Sequence, residues 1–310
     1  MAIFDVRWQS HEDMDKTQYN DQCIGMVYSD DRGKTWSDPK AIIDWFYPAY
    51  SPETPGVKYQ CGVSDPGILY DEENDVVMVF ALGGYGYMNR YSQKTEDVLA
   101  VERQQLVFTY SKDGGGTWSE PITVNDKIFD ADGTSRTWAE QYAYLLPTCT
   151  SGITLKRQPD SSDNGMVFPV QVHPRGFTTN DWTKDFRIGL LKVRPTYDSE
   201  RNIIDLSLIF AGESGQTTLF GADCNGANEC SICEGPDGGI VMASRCYRWI
   251  DNPQGTFSSA GISIRVSKAQ SLGAAWTLVG DLETTVDGKT DRACSSLETA
   301  TQTKPGLFWS

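Results

Sequence analysis

A ten-residue turn occurs twice in this chain, as YSDDRGKTWS at 28–37 and as YSKDGGGTWS at 110–119. Both copies read Ser, any, Asp, any, Gly, any, Thr, Trp, and both are followed by an acidic residue and a proline. This recurrence constrains the fold more than any other feature, because a turn used twice implies a supersecondary unit used repeatedly. The residue types explain the turn. Asp31 and Asp113 are placed to accept hydrogen bonds from amides of their own turn, and Gly33 and Gly115 permit a positive φ that other residues resist. Trp36 and Trp118 supply a large apolar plug between neighbouring sheets. A degenerate third copy, VSKAQSLGAAW at 266–276, keeps Ser267 and Trp276 but carries Ala269 in place of the Asp.

Short strand-like runs fill the space between turns: QCIGMVYS, DVVMVFAL, QQLVFTYS, GMVFPVQV, RIGLLKV, IDLSLIF, GGIVMASRCYRW and GISIRVS. They are rich in Val, Ile, Phe and Tyr, and several alternate apolar with polar residues, the period of a half-buried strand. Amphipathic helical patterns are scarce. With 29 Gly, 9 Trp and 14 Tyr the composition is that of a turn-rich, aromatic globular protein. The expectation is an all-β chain, read as one domain over residues 1–310, since closed all-β architectures often run this long as one unit.

The formal charge of −15 argues against nucleic acid and against anionic membrane surfaces, both of which need a basic footprint. An anionic substrate would likewise need a local arginine cluster. No apolar run approaches the roughly 18 residues that would suggest a membrane span. The opening MAIFDVRW has no basic n-region or apolar h-region, so no signal peptide is read there. Eight cysteines are too few for a disulfide scaffold. Cys230 and Cys233 form a lone CxxC with Cys224 and Cys246 nearby, but a four-cysteine zinc site usually needs two close pairs. Buried thiols or an occasional disulfide are expected, with no metal and no cofactor.

The repeated turn is the Asp box, and with it the sequence resembles the sialidase superfamily. The resemblance implies a six-bladed β-propeller, with roughly four blades in this chain and Asp boxes on the side away from the active site. Four further stretches carry it. FDVRWQSHED resembles the family segment in which an Asp follows an Arg, which implies Asp13 as general acid/base and Arg7 as a contact to sugar hydroxyls; Asp15 is a second claimant. GVSDPGILY resembles the family's Asp-Pro strand entry, implying that Asp65 bonds a hydroxyl or amide of the bound sugar. GMVFPVQV is similar to the strand that presents a Gln to substrate, here Gln171. NECSICEGPDGGIVMASR resembles the glutamate strand, turn and arginine strand. It implies Glu229 as the base that activates a tyrosine nucleophile, and Arg245 as one of three arginines gripping a carboxylate. Taken alone, each stretch also has a plainer reading: an acidic surface loop, a turn opened by Asp-Pro, an outward-facing Gln, a hairpin with an incidental ion pair.

The implied activity is that of a retaining exo-α-sialidase on terminal sialic acids of glycans. Its chemistry suits these residue types. A carboxylate on the anomeric carbon would repel a carboxylate nucleophile, so a neutral tyrosine assisted by Glu replaces the usual pair. Planar guanidinium groups bind the substrate carboxylate in bidentate fashion and stay charged. The alternative is a non-catalytic Asp-box propeller that binds glycan or protein, and a third option is a glycosidase or trans-glycosylating relative. Tyr85, Tyr87, Trp138 and Tyr142 are candidates for an acceptor rim, or for propeller packing.

The sequence also departs from the family pattern. The first triad arginine is expected upstream of the Arg/Asp segment, yet only six residues precede Arg7 and none is Arg. The third arginine and the tyrosine are expected one to two blades beyond Arg245. RACSSLETA at 292–300 admits two alignments, one with a CQSS-like strand before the third arginine and one with the nucleophile strand, Cys294 standing for tyrosine; order and spacing favour the first. The chain is therefore expected to be an interior piece of a sialidase domain. Its compartment is left open, a secreted or periplasmic parent being consistent with the resemblance.

Overall fold

Strands dominate the computed structural model, which describes residues 1–7, 22–44, 47–50, 58–61, 63–83, 105–174, 187–211, 227–249, 259–282, 285–286 and 289–290. The first sheet is β1 (Ala2–Arg7), β2 (Gln22–Val27) and β3 (Lys40–Ile43), antiparallel in that order. A hairpin of β4 (Tyr47–Tyr50) and β5 (Lys58–Cys61) follows. The second sheet runs β6 (Val63–Asp71), β7 (Val76–Gly83), β8 (Gln105–Ser111) and β9 (Ile122–Thr123). In the third, β10 (Ile128–Phe129) precedes β11 (Tyr142–Pro147), β12 (Ile153–Leu155), β13 (Gly165–Pro174), β14 (Arg187–Tyr197) and β15 (Ile203–Phe210). Its spatial order is β10-β15-β14-β13-β11, with β12 also on β13. The fourth is β16 (Ala227–Glu234), β17 (Ile240–Trp249), β18 (Ser259–Ala269) and β19 (Thr277–Leu282). A small hairpin, β20 (Thr285–Val286) and β21 (Lys289–Thr290), comes last. The eight strand-like runs of the sequence fall on β2, β7, β8, β13, β14, β15, β17 and β18. Among the described residues no helix is long and apolar enough to cross a membrane.

Consecutive sheets pack face to face, and each seam has its own apolar cluster. Ile24, Met26 and Ile43 of the first sheet meet Val79, Ala81 and Val107 of the second. The alternate residues Met78, Phe80 and Phe108 point the other way, onto Phe168, Val170 and Leu191 of the third. The ring centroid of Phe80 lies 5.1 Å from that of Phe108 and 4.6 Å from that of Phe168. Val167, Ile188 and Leu190 in turn meet Ala227, Ile232 and Met242 of the fourth sheet. The middle sheets are thus buried on both faces, which is why VVMVFAL reads as one apolar run.

The two turns that opened the sequence reading close on themselves. Asp31 accepts the amides of Lys34 and Thr35 at 2.9 and 2.8 Å and the Thr35 hydroxyl at 2.7 Å. Asp113 accepts the Thr117 amide and hydroxyl, both at 2.8 Å. The hydrogen bonds hold both carboxyls at about 2, the Thr35 hydroxyl contributing most for Asp31 and the Thr117 amide for Asp113. Gly33 and Gly115 take φ of 82° and 96°, as their turns require. Trp118 packs onto the first seam, whereas Trp36 is 50% exposed and plugs nothing.

At the same ends of the strands the seams are joined by polar groups. Tyr197 donates its hydroxyl to Asp71 at 2.7 Å, and Arg201 donates to the carbonyls of Asn74 and Lys112 at 3.0 and 3.1 Å. Gln158 donates to Glu234 at 2.9 Å and to the Gly238 carbonyl at 2.8 Å, while its own carbonyl accepts Leu272 N–H at 2.7 Å.

Candidate functional site

The opposite ends of the inner strands are irregular, and the irregularities coincide. In β6 the register shifts between Ser64 and Gly67, and Asp65 takes φ of 53°. Between β11 and β12 the chain leaves the ladder over residues 148–152, with Cys149 at φ 59°. In β16 the register shifts between Ala227 and Cys230, which puts Asn228 and Glu229 in the bulge. A bulge re-aims a side chain out of the strand's alternation, and left-handed φ at a non-glycine residue is held only where its surroundings impose it.

Glu229 and Arg245 are brought together by the β16–β17 hairpin, with Arg245 Nη1 donating to Glu229 Oε1 at 2.9 Å. The side chains remain 27% exposed for Arg245 and 39% for Glu229. A pair this open is worth about 0–1 kcal/mol to stability. Solvent therefore reaches part of both the guanidinium and the carboxylate.

Asp65 is fixed from the neighbouring sheet: its backbone N–H donates to Asp5 Oδ1 of β1 at 3.0 Å. Gln171 is 5% exposed, paired on β13 with Leu146 and Ile188. Period two places it on the face of Val167, toward the fourth sheet, so the outward-facing reading of this Gln does not hold. Arg7 closes β1 opposite Gln22. Asp13, with its rival Asp15, lies outside the described residues, as do Tyr85, Tyr87, Cys224, Arg292 and Cys294. Trp138, a rim candidate, is instead core: it is buried, packs near Phe210 and donates its indole N–H to the Ile128 carbonyl at 2.9 Å.

Two residues at this end were not singled out from the sequence. Asp5 stands in the quoted FDVRW two positions before Arg7, and a period-two reading of that strand would have placed both on one face. Cys149 had no signal; it stands in the loop between β11 and β12, in left-handed backbone at φ 59°. The CxxC resolves into packing. Cys230, Cys233 and Cys246 are buried, and three positions apart on one strand turns Cys230 and Cys233 to opposite faces. Burial pushes the Cys230 thiol up to about 12.

An open guanidinium–carboxylate pair beside a ring of acceptors suits a polyhydroxylated ligand that carries an acid group. Residues 1–303 match the model of the BNR repeat-like domain. A sialidase of Bacteroides fragilis (strain YCH46) is 30% identical over 173 residues, which is 55% of this chain and 27% of that protein. Among solved structures, the Hadza microbial sialidase Hz136 superposes with a TM-score of 0.56 at 21% identity, covering 89% of this chain and 43% of its own. Trypanosoma rangeli sialidase in complex with sialic acid gives 0.54 at 14%, over 96% of this chain and 39% of that one. The leech intramolecular trans-sialidase gives 0.53 at 12%, over 90% and 48%. The chain thus spans less than half the length of each of these relatives.

Proposed function

This chain belongs to the BNR repeat-like family of the sialidase superfamily, and from that premise we propose that it is a propeller domain of a retaining exo-α-sialidase. The sheets are blades of a six-bladed ring, and residues 1–310 form one domain of it. The substrate is a terminal sialic acid of a glycan. The observation that carries this reading is the Glu229–Arg245 pair, with Glu229 in the bulge of β16, together with the Asp5 carboxylate that holds the bulged Asp65 of β6.

Each group has a distinct task in this reading. Arg245 turns from Glu229 to share itself with the incoming carboxylate, a charge-assisted and bidentate contact. Glu229, relieved of part of its counter-charge, takes the proton of a tyrosine nucleophile; a neutral nucleophile avoids the repulsion that a carboxylate would meet at this anomeric carbon. Asp13 serves as general acid to the glycosidic oxygen of the leaving group and then as base to the water that releases the sugar from the enzyme. Asp65 and Gln171 bind hydroxyl or amide groups of the ring, and Arg7 the sugar hydroxyls.

Hydrolysis of a fluorogenic α-sialoside by the full-length protein, beside its Glu229→Gln variant, tests the proposal. A general base contributes on the order of 100- to 10,000-fold, so the variant should lose activity on that scale. Equal rates in both proteins would overturn the role of Glu229. Binding of N-acetylneuraminic acid without turnover, abolished in Arg245→Ala, would favour a glycan-binding propeller over an enzyme.

A further inference from the structure

The bulge of β6 is pinned from both neighbouring sheets. Its pairing with β7 jumps from Ser64 to Gly67, which takes Asp65 and Pro66 out of the ladder. Pro66 has no N–H to give, so Asp65 supplies the one backbone donor of that step. On the side of the third sheet, Gly67 lies so close that a Cβ there would run into the Phe168 ring and the Thr150 carbonyl oxygen. One residue on, the Ile68 carbonyl accepts Gly152 N–H at 2.7 Å. On the side of the first sheet, the Asp65 N–H donates to Asp5 Oδ1 at 3.0 Å.

The period of β1 brings Asp5 to that point. Ile3 packs on the first seam, opposite Met26 of the same cluster. Asp5, two positions on and level with Ile24, shares that face. A carboxylate thus stands within reach of β6 between Val63 and Ile68, both of which pack on the seam. Its hold matters because Asp65 takes φ of 53°, a left-handed backbone that a non-glycine residue keeps only where its surroundings impose it. Loss of the acceptor would let the Asp65 peptide turn, and the side chain with it.

We propose that Asp5 is a positioning residue, whose carboxylate holds the β6 bulge in the conformation that presents Asp65 to the ligand. The identity of that ligand rests on the sialidase reading; the hold of Asp5 on the bulge does not.

Native-state amide hydrogen exchange of the full-length protein, resolved to Asp65 by mass spectrometry, reads the hold without any sugar. Asp5→Ala should speed exchange of the Asp65 amide about tenfold, and Asp5→Asn, which keeps an acceptor oxygen, by no more than about threefold. Exchange at Asp65 that is the same in Asp5→Ala as in the parent would overturn the proposal.

Kinetics on a fluorogenic α-sialoside then read positioning. Asp5→Ala should raise KM about tenfold with kcat little changed, and Asp5→Asn should recover most of that loss, because a group that binds the sugar equally in ground and transition states shows in KM. Asp65→Asn removes the carboxylate and keeps a residue type that tolerates left-handed backbone. In that background Asp5→Ala should change KM by less than about twofold, since the group it positions is gone. The same tenfold rise in both backgrounds would mark Asp5 as a general support of the fold and overturn the positioning role. A full-length protein that turns over no sialoside, while exchange at Asp65 runs as expected, would overturn the sialidase reading and leave the hold of Asp5 on the bulge in place.

Discussion

The Asp5 carboxylate accepts the backbone N–H of Asp65, so a side chain of the first sheet holds the bulge of the second. The bond crosses the seam at the point where Asp65 departs from strand geometry. Asp5→Ala leaves that N–H without its charged acceptor and should cost about 1–2 kcal/mol in urea unfolding, toward the lower end because both groups are partly exposed. Asp5→Asn keeps an acceptor and should cost less. Unfolding curves that coincide for Asp5→Ala and the parent would mean that the bulge is held by other contacts.

Acid should weaken the protein through its two Asp boxes. Asp31 and Asp113 titrate at about 2 in the folded chain against an ordinary 3.8, so the folded state binds their protons less readily than the unfolded state. Their contribution is fully present above about pH 4 and is lost as pH falls through about 2. The double variant Asp31→Asn, Asp113→Asn should therefore be less stable at neutral pH, with a flatter dependence of Tm on pH between 4 and 2. A double variant whose Tm falls as steeply there as the parent's would place the acid sensitivity elsewhere.

Ser111 and Ser267 occupy the same place in an intact and a degenerate Asp box, with opposite consequences. Ser111 donates to Asp113 at 2.8 Å and accepts Gly115 N–H at 2.8 Å. Ser267 is buried where Ala269 stands for the Asp, and among the described residues its hydroxyl has no partner. Ser111→Ala should destabilise by about 1–3 kcal/mol, whereas Ser267→Ala should be neutral or stabilise by up to about 1 kcal/mol. Calorimetric Tm values for the two variants decide this, and a Tm that drops for Ser267→Ala would show that the hydroxyl does find a partner.

Strands were legible in the sequence wherever burial on one or both faces imposed period two or an unbroken apolar run, as in DVVMVFAL and RIGLLKV. YAYLLP of β11 was not, because its ladder breaks after Pro147 and the run is too short to show a period. The Glu229–Arg245 pair could be read because a hairpin with a Gly-rich turn fixes which residues end up level. The Asp5–Asp65 contact could not: it joins two sheets, and spacing along a strand holds no information about what crosses a seam. Trp36 shows the same limit from the other side. In both turns the indole N–H donates to the turn's glycine carbonyl at 3.1 Å, yet Trp118 packs on the first seam while Trp36 is half exposed.

Gln158 gives the assembly a direction of compliance. Hydrogen bonds from one side chain to Glu234, Gly238 and Leu272 fix the third and fourth sheets against both sliding and rotation at their far ends, as apolar packing alone would not. Arg201 and Tyr197 do the same between the second and third. Opposed to these anchored ends are the bulged ones, where regular pairing is interrupted. Strain on the molecule would then be taken up by splaying the sheets about their tethered edges, and the bulged end would open in angle while the scaffold behind it kept its register.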